Sequence, residues 1–307
     1  METEIINKEK EVLSIEKAIE EQRMPLFKEF KKSRLISNIL TAVVLIICIA
    51  GMILVTNENL VLKIVGWVIL ALGLVSMVVF YFVHKKRFEK NTKNYIGLVA
   101  ELLNKENFSN PNFKNVNMSN SKLEIGDVSG NGAYVDIFRV ASRNISTGEY
   151  SSMRFTFSEA AFFAKGEKKN TERALFVGKY IDVLNNLKFK GNVLIQLVGE
   201  KPIDQINGIE GKEKLFEEGN FSIYGEKDFN FKNELGEQFI SKIRKIDIAN
   251  HLLNLAFSIW EGHTFVFLSY DDDVIAIPFD KPFNAEAFEC YKKQLIQVFD
   301  ALKYLGK

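Results

Sequence analysis

Two long apolar runs stand out near the beginning of the chain. Between residues 35 and 83 the only charged side chains are Glu58 and Lys63. Each run, residues 35–55 and residues 60–83, has the length that an α-helix needs to cross a hydrocarbon core about 30 Å thick. Only a helix satisfies its own backbone hydrogen bonds there. The pattern predicts two transmembrane helices, and the alternative is a pair of buried core helices in a soluble protein.

The two predicted spans are joined by only four residues, 56–59. A connection this short places the spans side by side and antiparallel, as a hairpin. Gly51, Gly66 and Gly73 put small residues into the spans, and small residues allow helices in a membrane to approach closely. The glycines therefore reflect either ordinary span composition or a close-packing face, used by the hairpin itself or by a second copy.

Helical periodicity continues beyond both spans. Apolar residues recur every seven positions in the first 34 residues, including Ile19 and Leu26, and a similar stripe follows the second span. We predict an amphipathic helix over residues 1–34 and a stalk helix over residues 84–106. The two pair as a short coiled coil that places Leu26 near Phe88 or Thr92. The alternative is an amphipathic helix that lies on the membrane surface.

A change of pattern marks a second domain, which we place at residues 107–307. Residues 107–132 are rich in Asn and Ser and predict a polar linker. Short alternating or aromatic stretches follow, and then helical ones. The predicted elements are strands at Tyr134–Val140, Met153–Phe157, Arg173–Val183, Asn192–Val198 and Phe221–Tyr224, a helix over Gly236–Ala256, a hairpin of Thr264–Tyr270 with Val274–Pro278, and a helix over Asn284–Leu305.

This order of elements predicts an α+β fold. The expected architecture is a two-helix transmembrane hairpin with a helical stalk, followed by a mainly antiparallel sheet domain with helices on one face. A domain of this length buries a sufficient core without a metal or a disulfide.

Basic residues flank the spans on their outer sides only. They are Lys28, Lys31, Lys32, Arg34, Lys85, Lys86, Arg87, Lys90 and Lys93. Against these nine, the turn end of the hairpin has only Lys63, near the start of the second span. The positive-inside rule therefore predicts that both termini are cytoplasmic. A charged segment of 34 residues precedes the first run, so we expect no cleaved signal peptide.

The sequence carries no recognisable reaction chemistry. It has no phosphate-binding loop and no Gly-x-Ser-x-Gly elbow. His84, His251 and His263 lack a converging third metal ligand, Cys48 and Cys290 are far apart, and Asp271–Asp273 is interpreted as a turn rather than a cation site. We therefore expect no catalytic, cofactor-binding or metal residues and no cofactor. The net charge of +1 gives no reason to expect nucleic acid as a partner.

These observations favour a membrane-anchored cytoplasmic binding or scaffold module over an enzyme. Its expected partners are the lipid bilayer and a protein or lipid ligand, with a second copy of the chain as a further candidate. The alternative is a membrane-tethered enzyme whose site is assembled from residues remote in sequence. The 26 phenylalanines are expected to fill the sheet core, as at Phe155, Phe157 and Phe162, whereas a surplus on one exposed face would mark a binding groove.

Several short motifs resemble a known family. After the two spans come the stretches Ala174–Ile195, Leu215–Asp228 and Thr264–Phe279. They include the elements Lys188-Phe189-Lys190-Gly191 and Phe221-Ser222-Ile223-Tyr224. In this arrangement the chain resembles the bacterial domain-of-unknown-function 3137 proteins. The resemblance implies two membrane spans with both tails inside and a cytoplasmic α+β domain, and it supplies no catalytic residue.

Overall fold

The fold was examined in a computed structural model of the protein. It describes residues 2–168, 171–188, 191–199, 206–246, 248, 252–270 and 280–307, with the backbone alone at residues 2–14 and 84. Contacts group the described residues into two compact units. The helical unit comprises those within Met1–Leu103 and Ile277–Phe283, and the sheet unit comprises those within Asn104–Ala276 and Asn284–Lys307.

Two very long helices form most of the helical unit. Helix α1 runs over Glu2–Val55 and helix α2 over Leu60–Asn107. At about 1.5 Å per residue, α1 is about 80 Å long. The predicted amphipathic helix and first span are thus one continuous helix, and the second span and the stalk helix are another. The connection at residues 56–59 is the predicted short turn, in which the Asn59 side chain accepts a hydrogen bond from the Val61 amide at 2.9 Å.

Among the residues that the structure describes, the sheet unit has nine strands, all paired antiparallel. Their spatial order is β1-β2-β3-β4-β9-β8-β5-β7-β6. The strands are β1 (Phe113–Ser119), β2 (Arg139–Tyr150), β3 (Met153–Lys165), β4 (Glu172–Leu184), β5 (Asn192–Val198), β6 (Glu213–Glu218), β7 (Phe221–Gly225), β8 (Leu252–Trp260) and β9 (His263–Tyr270).

Four helices accompany the strands in the described part of this unit. They are α3 (Ile125–Val128), α4 (Phe231–Leu235), α5 (Glu237–Arg244) and α6 (Ala285–Leu302). Helices α5 and α6 cover one sheet face, where Phe239 contacts Phe257 and Phe299 contacts Phe155. The opposite face is covered by a second apolar cluster that includes Val128 of α3 and Tyr134. The predicted fold class, α+β with an apolar helical hairpin and an antiparallel sheet, is confirmed.

Three predicted elements in this unit are wrong. The polar stretch 107–132, predicted as a linker, contains β1 and α3. Strand β1 is an edge strand whose only buried side chain is Phe113, so its sequence lacks the apolar alternation of an inner strand. The strand predicted at Tyr134–Val140 begins only at Arg139, because Tyr134 lies in a loop that packs on the sheet.

The predicted helix Gly236–Ala256 is the third error. Its helical part is α5, and residues 252–256 belong to β8, in which every residue but Trp260 is buried. A strand buried on both faces has a continuous apolar run, which periodicity does not separate from a buried helix.

The first strand of the predicted hairpin, Thr264–Tyr270, is part of β9. Strand β9 pairs with β4 along one edge and with β8 along the other. The predicted second strand, Val274–Pro278, and the aspartate turn before it lie in residues 271–279, outside the described residues.

Candidate functional site

The surface of the predicted spans is apolar on all sides. Of the residues from 35 to 83, only Gly51, Gly66 and Gly73 are buried, and every other side chain is partly or fully exposed. Leu45 and Leu72, near the middle of the two spans, are 51% and 62% exposed. Both helices are long and apolar enough to cross a membrane, judged by length and composition. The predicted alternative of two buried core helices does not match this exposure.

The three buried glycines lie where the two helices touch. A Cβ atom at Gly66 would lie 2.7 Å from the Val55 nitrogen and 2.8 Å from the Gly51 oxygen, and one at Gly73 would lie 2.7 Å from Cys48 Sγ. Contacts this short are too close for a side chain. At Gly66 the two helices meet backbone to backbone, and at Gly73 the backbone of α2 meets the Cys48 side chain. The glycines therefore form a close-packing face of the hairpin itself, here called the glycine seam.

Replacing Gly66 with alanine is expected to weaken the hairpin. The added methyl group would meet backbone atoms, which cannot rotate away, and overpacking of this kind costs about 1–3 kcal/mol. Gly97 is the matched control, because it lies in the same helix and a Cβ there meets nothing within 4 Å. Gly97→Ala is expected to stabilise α2 by up to about 1 kcal/mol through helix propensity. Unfolding of both variants by sodium dodecyl sulfate in mixed micelles measures the difference, and equal effects would contradict the seam.

Beyond the spans the two helices remain in contact. The rings of Phe30 and Phe88 lie 5.2 Å apart, and Arg87 Nη2 pairs with Glu29 Oε1 at 2.6 Å. Leu26 lines one small cavity together with Phe88 and Thr92. The predicted position of Leu26 is therefore confirmed.

Outside the predicted spans, the helical unit contains a buried charged group. Arg23 is only 5% exposed, and its guanidinium donates to both carboxylate oxygens of Glu20. Glu20 Oε1 also accepts a hydrogen bond from the Phe283 amide at 3.0 Å. Hydrogen bonds from Arg23 lower the pKa of Glu20, whereas burial raises the pKa of Tyr95 to about 12. Side chains of α1 thus hold the chain segment that precedes α6.

Two ion pairs are enclosed within the sheet unit. Lys179 on β4 pairs with Glu159 on β3, with side chains 6% and 15% exposed, and the Lys179 ammonium lies 5.3 Å from the Tyr291 ring centre. Lys292 on α6 pairs with Glu106 at the end of α2. Burial raises the pKa of Tyr291 well above its usual value. These charged groups are enclosed by the packing of α6 on the sheet, so solvent has little access to them.

A shallow cleft of about 480 Å³ lies beside the edge strand β6. Its lining, here called the β6 cleft, includes Phe216, Phe231, Ile240 and Arg244. Arg244 Nη2 pairs with Glu218 Oε1 at 2.5 Å, and its guanidinium lies 5.8 Å from the Phe216 ring centre. Exposed aromatic and arginine side chains are enriched at protein interfaces. The β6 cleft is therefore the candidate partner surface of the sheet unit.

The histidines, cysteines and aspartates considered as ligands do not converge in the described part of the chain. His263 Nδ1 lies 3.0 Å from Asp182 Oδ1, and burial raises the pKa of that carboxyl. His251 lies outside the described residues. Among the residues that are described, no group of three or more His, Cys, Asp and Glu side chains could hold a metal ion. Cys48 and Cys290 are free thiols.

Most of the phenylalanines considered as a core or a groove lie in the core. Phe155, Phe157, Phe162 and Phe176 are each no more than 3% exposed, which confirms the core interpretation at these positions. Phe163 is half-buried beneath the guanidinium of Arg139, 3.9 Å from its ring centre. Sequence reasoning missed the enclosed pair Lys179–Glu159 and the β6 cleft. The pair depends on the register of two strands, and the cleft depends on the packing of one strand with two helices. No local sequence pattern predicts either arrangement.

Comparisons with known proteins add no further assignment. No family model, no curated protein and no solved structure matches this chain.

Proposed function

We propose that this chain is a membrane-anchored module. The α1–α2 hairpin crosses the bilayer twice through residues 35–55 and 60–83, and it holds the sheet unit at the cytoplasmic face. The observation that carries this proposal is the exposure of every span side chain other than the three glycines. A surface this apolar is unstable in water and stable in lipid.

The charge pattern supports the proposed orientation. Nine basic residues lie on the outer flanks of the spans, whereas the turn end of the hairpin has only Lys63, near the start of the second span. Basic residues close to span ends are retained in the cytoplasm. Both termini and the sheet unit therefore lie on the cytoplasmic side of the membrane.

The sheet unit supplies the binding function of the proposed module. The β6 cleft supports this part of the proposal, because it brings Arg244 and two phenylalanine rings to an exposed sheet edge. Such side chains carry much of the binding energy at protein interfaces. We also propose membership of the domain-of-unknown-function 3137 family, which rests on the two spans, the α+β domain and the short motifs near Phe221.

Membrane integration is tested by arginine substitutions in the middle of the spans. Wild-type protein is expected to remain in the membrane fraction after washing with alkaline carbonate. The double variant Leu45→Arg/Leu72→Arg is expected to lose most of its integration, since each arginine at a span centre costs about 2.5–3.5 kcal/mol of insertion free energy.

The matched control places the same charges in the sheet unit. Met118 is 45% exposed and Ser121 is exposed, so Met118→Arg/Ser121→Arg is expected to leave integration unchanged. Release of the wild-type chain by carbonate would contradict membrane anchoring. Equal membrane retention of the two double variants would contradict it as well.

A further inference from the structure

A second cleft, of about 420 Å³, lies between the facing sides of α1 and α2. From α1 it is lined by Phe30, Ser37, Leu40 and Val44, among others. This helix cleft belongs wholly to the helical unit. Its volume falls within the range of sites that bind small molecules.

The other side of the helix cleft is formed by one face of α2. Met77, Tyr81, Lys85 and Phe88 lie there, spaced three or four positions apart as residues on one helix face are. Helices in a membrane associate through van der Waals contact of their facing sides. Here the facing sides are separated, so another group must supply those contacts.

Tight contacts close the cleft at both ends. Toward the turn lies the glycine seam, where Gly73 meets Cys48. Toward the stalk, the rings of Phe30 and Phe88 approach to 5.2 Å. The two helices are therefore in contact on both sides of the cleft, and they are separated only over the length of the cleft itself.

The cleft has a cation near its outer end and a mainly apolar lining further in. Lys85 and Ser37 lie near the outer boundary of the predicted spans. The residues that follow toward the interior are mostly apolar, with two hydroxyl side chains among them: Leu40, Thr41, Val44, Ser76, Met77 and Phe80. From Ser37 to Val44 the helix rises about 10 Å. The cation and the hydroxyl at the bilayer boundary match a phosphate, and the mainly apolar groups below them match an acyl chain.

The Lys85 ammonium is free to meet such a headgroup. Its contact with Glu89 is 3.9 Å long, and both side chains are more than half exposed. An ion pair of that kind contributes little. A phosphate oxygen would offer the ammonium a shorter, charge-assisted hydrogen bond at the membrane boundary.

We propose that the helix cleft binds one anionic glycerophospholipid. Lys85 and the Ser37 hydroxyl contact its phosphate, and an acyl chain lies between Leu40, Val44 and Phe80. This inference rests on the proposed membrane anchoring, because the bilayer supplies the lipid and sets the depth of the cleft.

Native mass spectrometry of the full chain tests the proposal. The protein is released from mild detergent after incubation with phosphatidylglycerol or phosphatidylcholine of the same acyl chains. The wild type is expected to retain one phosphatidylglycerol molecule in preference to phosphatidylcholine. Lys85→Gln is expected to reduce phosphatidylglycerol retention about five-fold, the weight of one lysine near an anionic surface.

Two further variants distinguish lipid binding in the cleft from nonspecific attraction of anionic lipid to the basic residues near the spans. Lys93→Gln removes the same charge from an exposed position outside the cleft lining and is expected to change retention less than about two-fold. Ser76→Phe places a ring among the lining residues of α2 and is expected to abolish retention of both lipids. Membrane integration of Ser76→Phe, checked by alkaline washing, shows that the variant still inserts.

The proposal is overturned by equal retention of the two lipids, by equal effects of Lys85→Gln and Lys93→Gln, or by retention that survives in Ser76→Phe. A mass of two chains without lipid would instead identify a second copy as the occupant. If the wild-type chain resists alkaline washing but retains no lipid, the cleft assignment fails and the anchor stands. If alkaline washing releases the chain, the anchor itself fails.

Discussion

Replacing Lys179 with methionine is expected to lower the free energy of unfolding of the sheet unit by about 3–5 kcal/mol. The substitution leaves the Glu159 carboxylate, 15% exposed, without its ammonium partner. An enclosed charge that loses its partner retains its desolvation cost without the compensating attraction. Tyr291, which packs on this pair, offers a ring face to a cation and nothing comparable to a carboxylate.

The double variant Lys179→Met/Glu159→Leu separates this cause from a general loss of packing. Removing both charges in favour of apolar side chains is often neutral, so most of the lost stability should return. An exposed pair serves as a second control, because Arg139 and Glu172 are 44% and 36% exposed. Arg139→Met is therefore expected to lower stability much less than Lys179→Met does.

The fluorescence of Trp260 measures the unfolding of the sheet unit. The chain has two tryptophans, Trp67 in the second predicted span and Trp260 in β8. In a Trp67→Phe background, fluorescence during urea unfolding in mild detergent reports on the sheet unit. A double variant as unstable as Lys179→Met would show that the loss arises from packing and not from the unpaired charge.

The helical hairpin could be predicted from the sequence because each apolar run by itself specifies a spanning helix. A run of about 20 apolar residues has few structural solutions, and four connecting residues fix the two helices as antiparallel neighbours. The heptad spacing even placed Leu26 beside Phe88 and Thr92. The pattern did not decide whether the glycines form a close-packing face. Contact between Gly51 and Gly66 depends on how the two helices are rotated about their axes, which sequence spacing does not specify.

The sheet was harder to predict, for two physical reasons. Strand β8 is buried on both faces and so has no alternation, whereas β1 is an edge strand with one buried residue and so has no apolar run. The residues at the turns also gave weak evidence for strand ends. Ser151 and Ser152 form the β2–β3 turn with φ angles of 47° and 75°, a conformation usually taken by Asn and Gly.

The candidate sites depend on strand and helix pairing that sequence spacing does not encode. Lys179 and Glu159 are 20 positions apart and meet only because β3 and β4 pair in one register. The β6 cleft joins β6 with α4 and α5. The helix cleft requires facing helix sides that are held apart, whereas the apolar pattern alone predicts their contact.

The orientation of the hairpin is tested by labelling single cysteines with a membrane-impermeant maleimide. In a Cys48→Ala/Cys290→Ala background, one variant carries Asn57→Cys in the exposed turn and another carries Ser121→Cys, exposed in the sheet unit. Two spans with cytoplasmic ends predict that the cysteine at position 57 is labelled in intact cells. The cysteine at position 121 should be labelled only after the membrane is permeabilised. Labelling of position 121 in intact cells, with position 57 protected until permeabilisation, would reverse the orientation, and protection of both until permeabilisation would contradict a spanning hairpin.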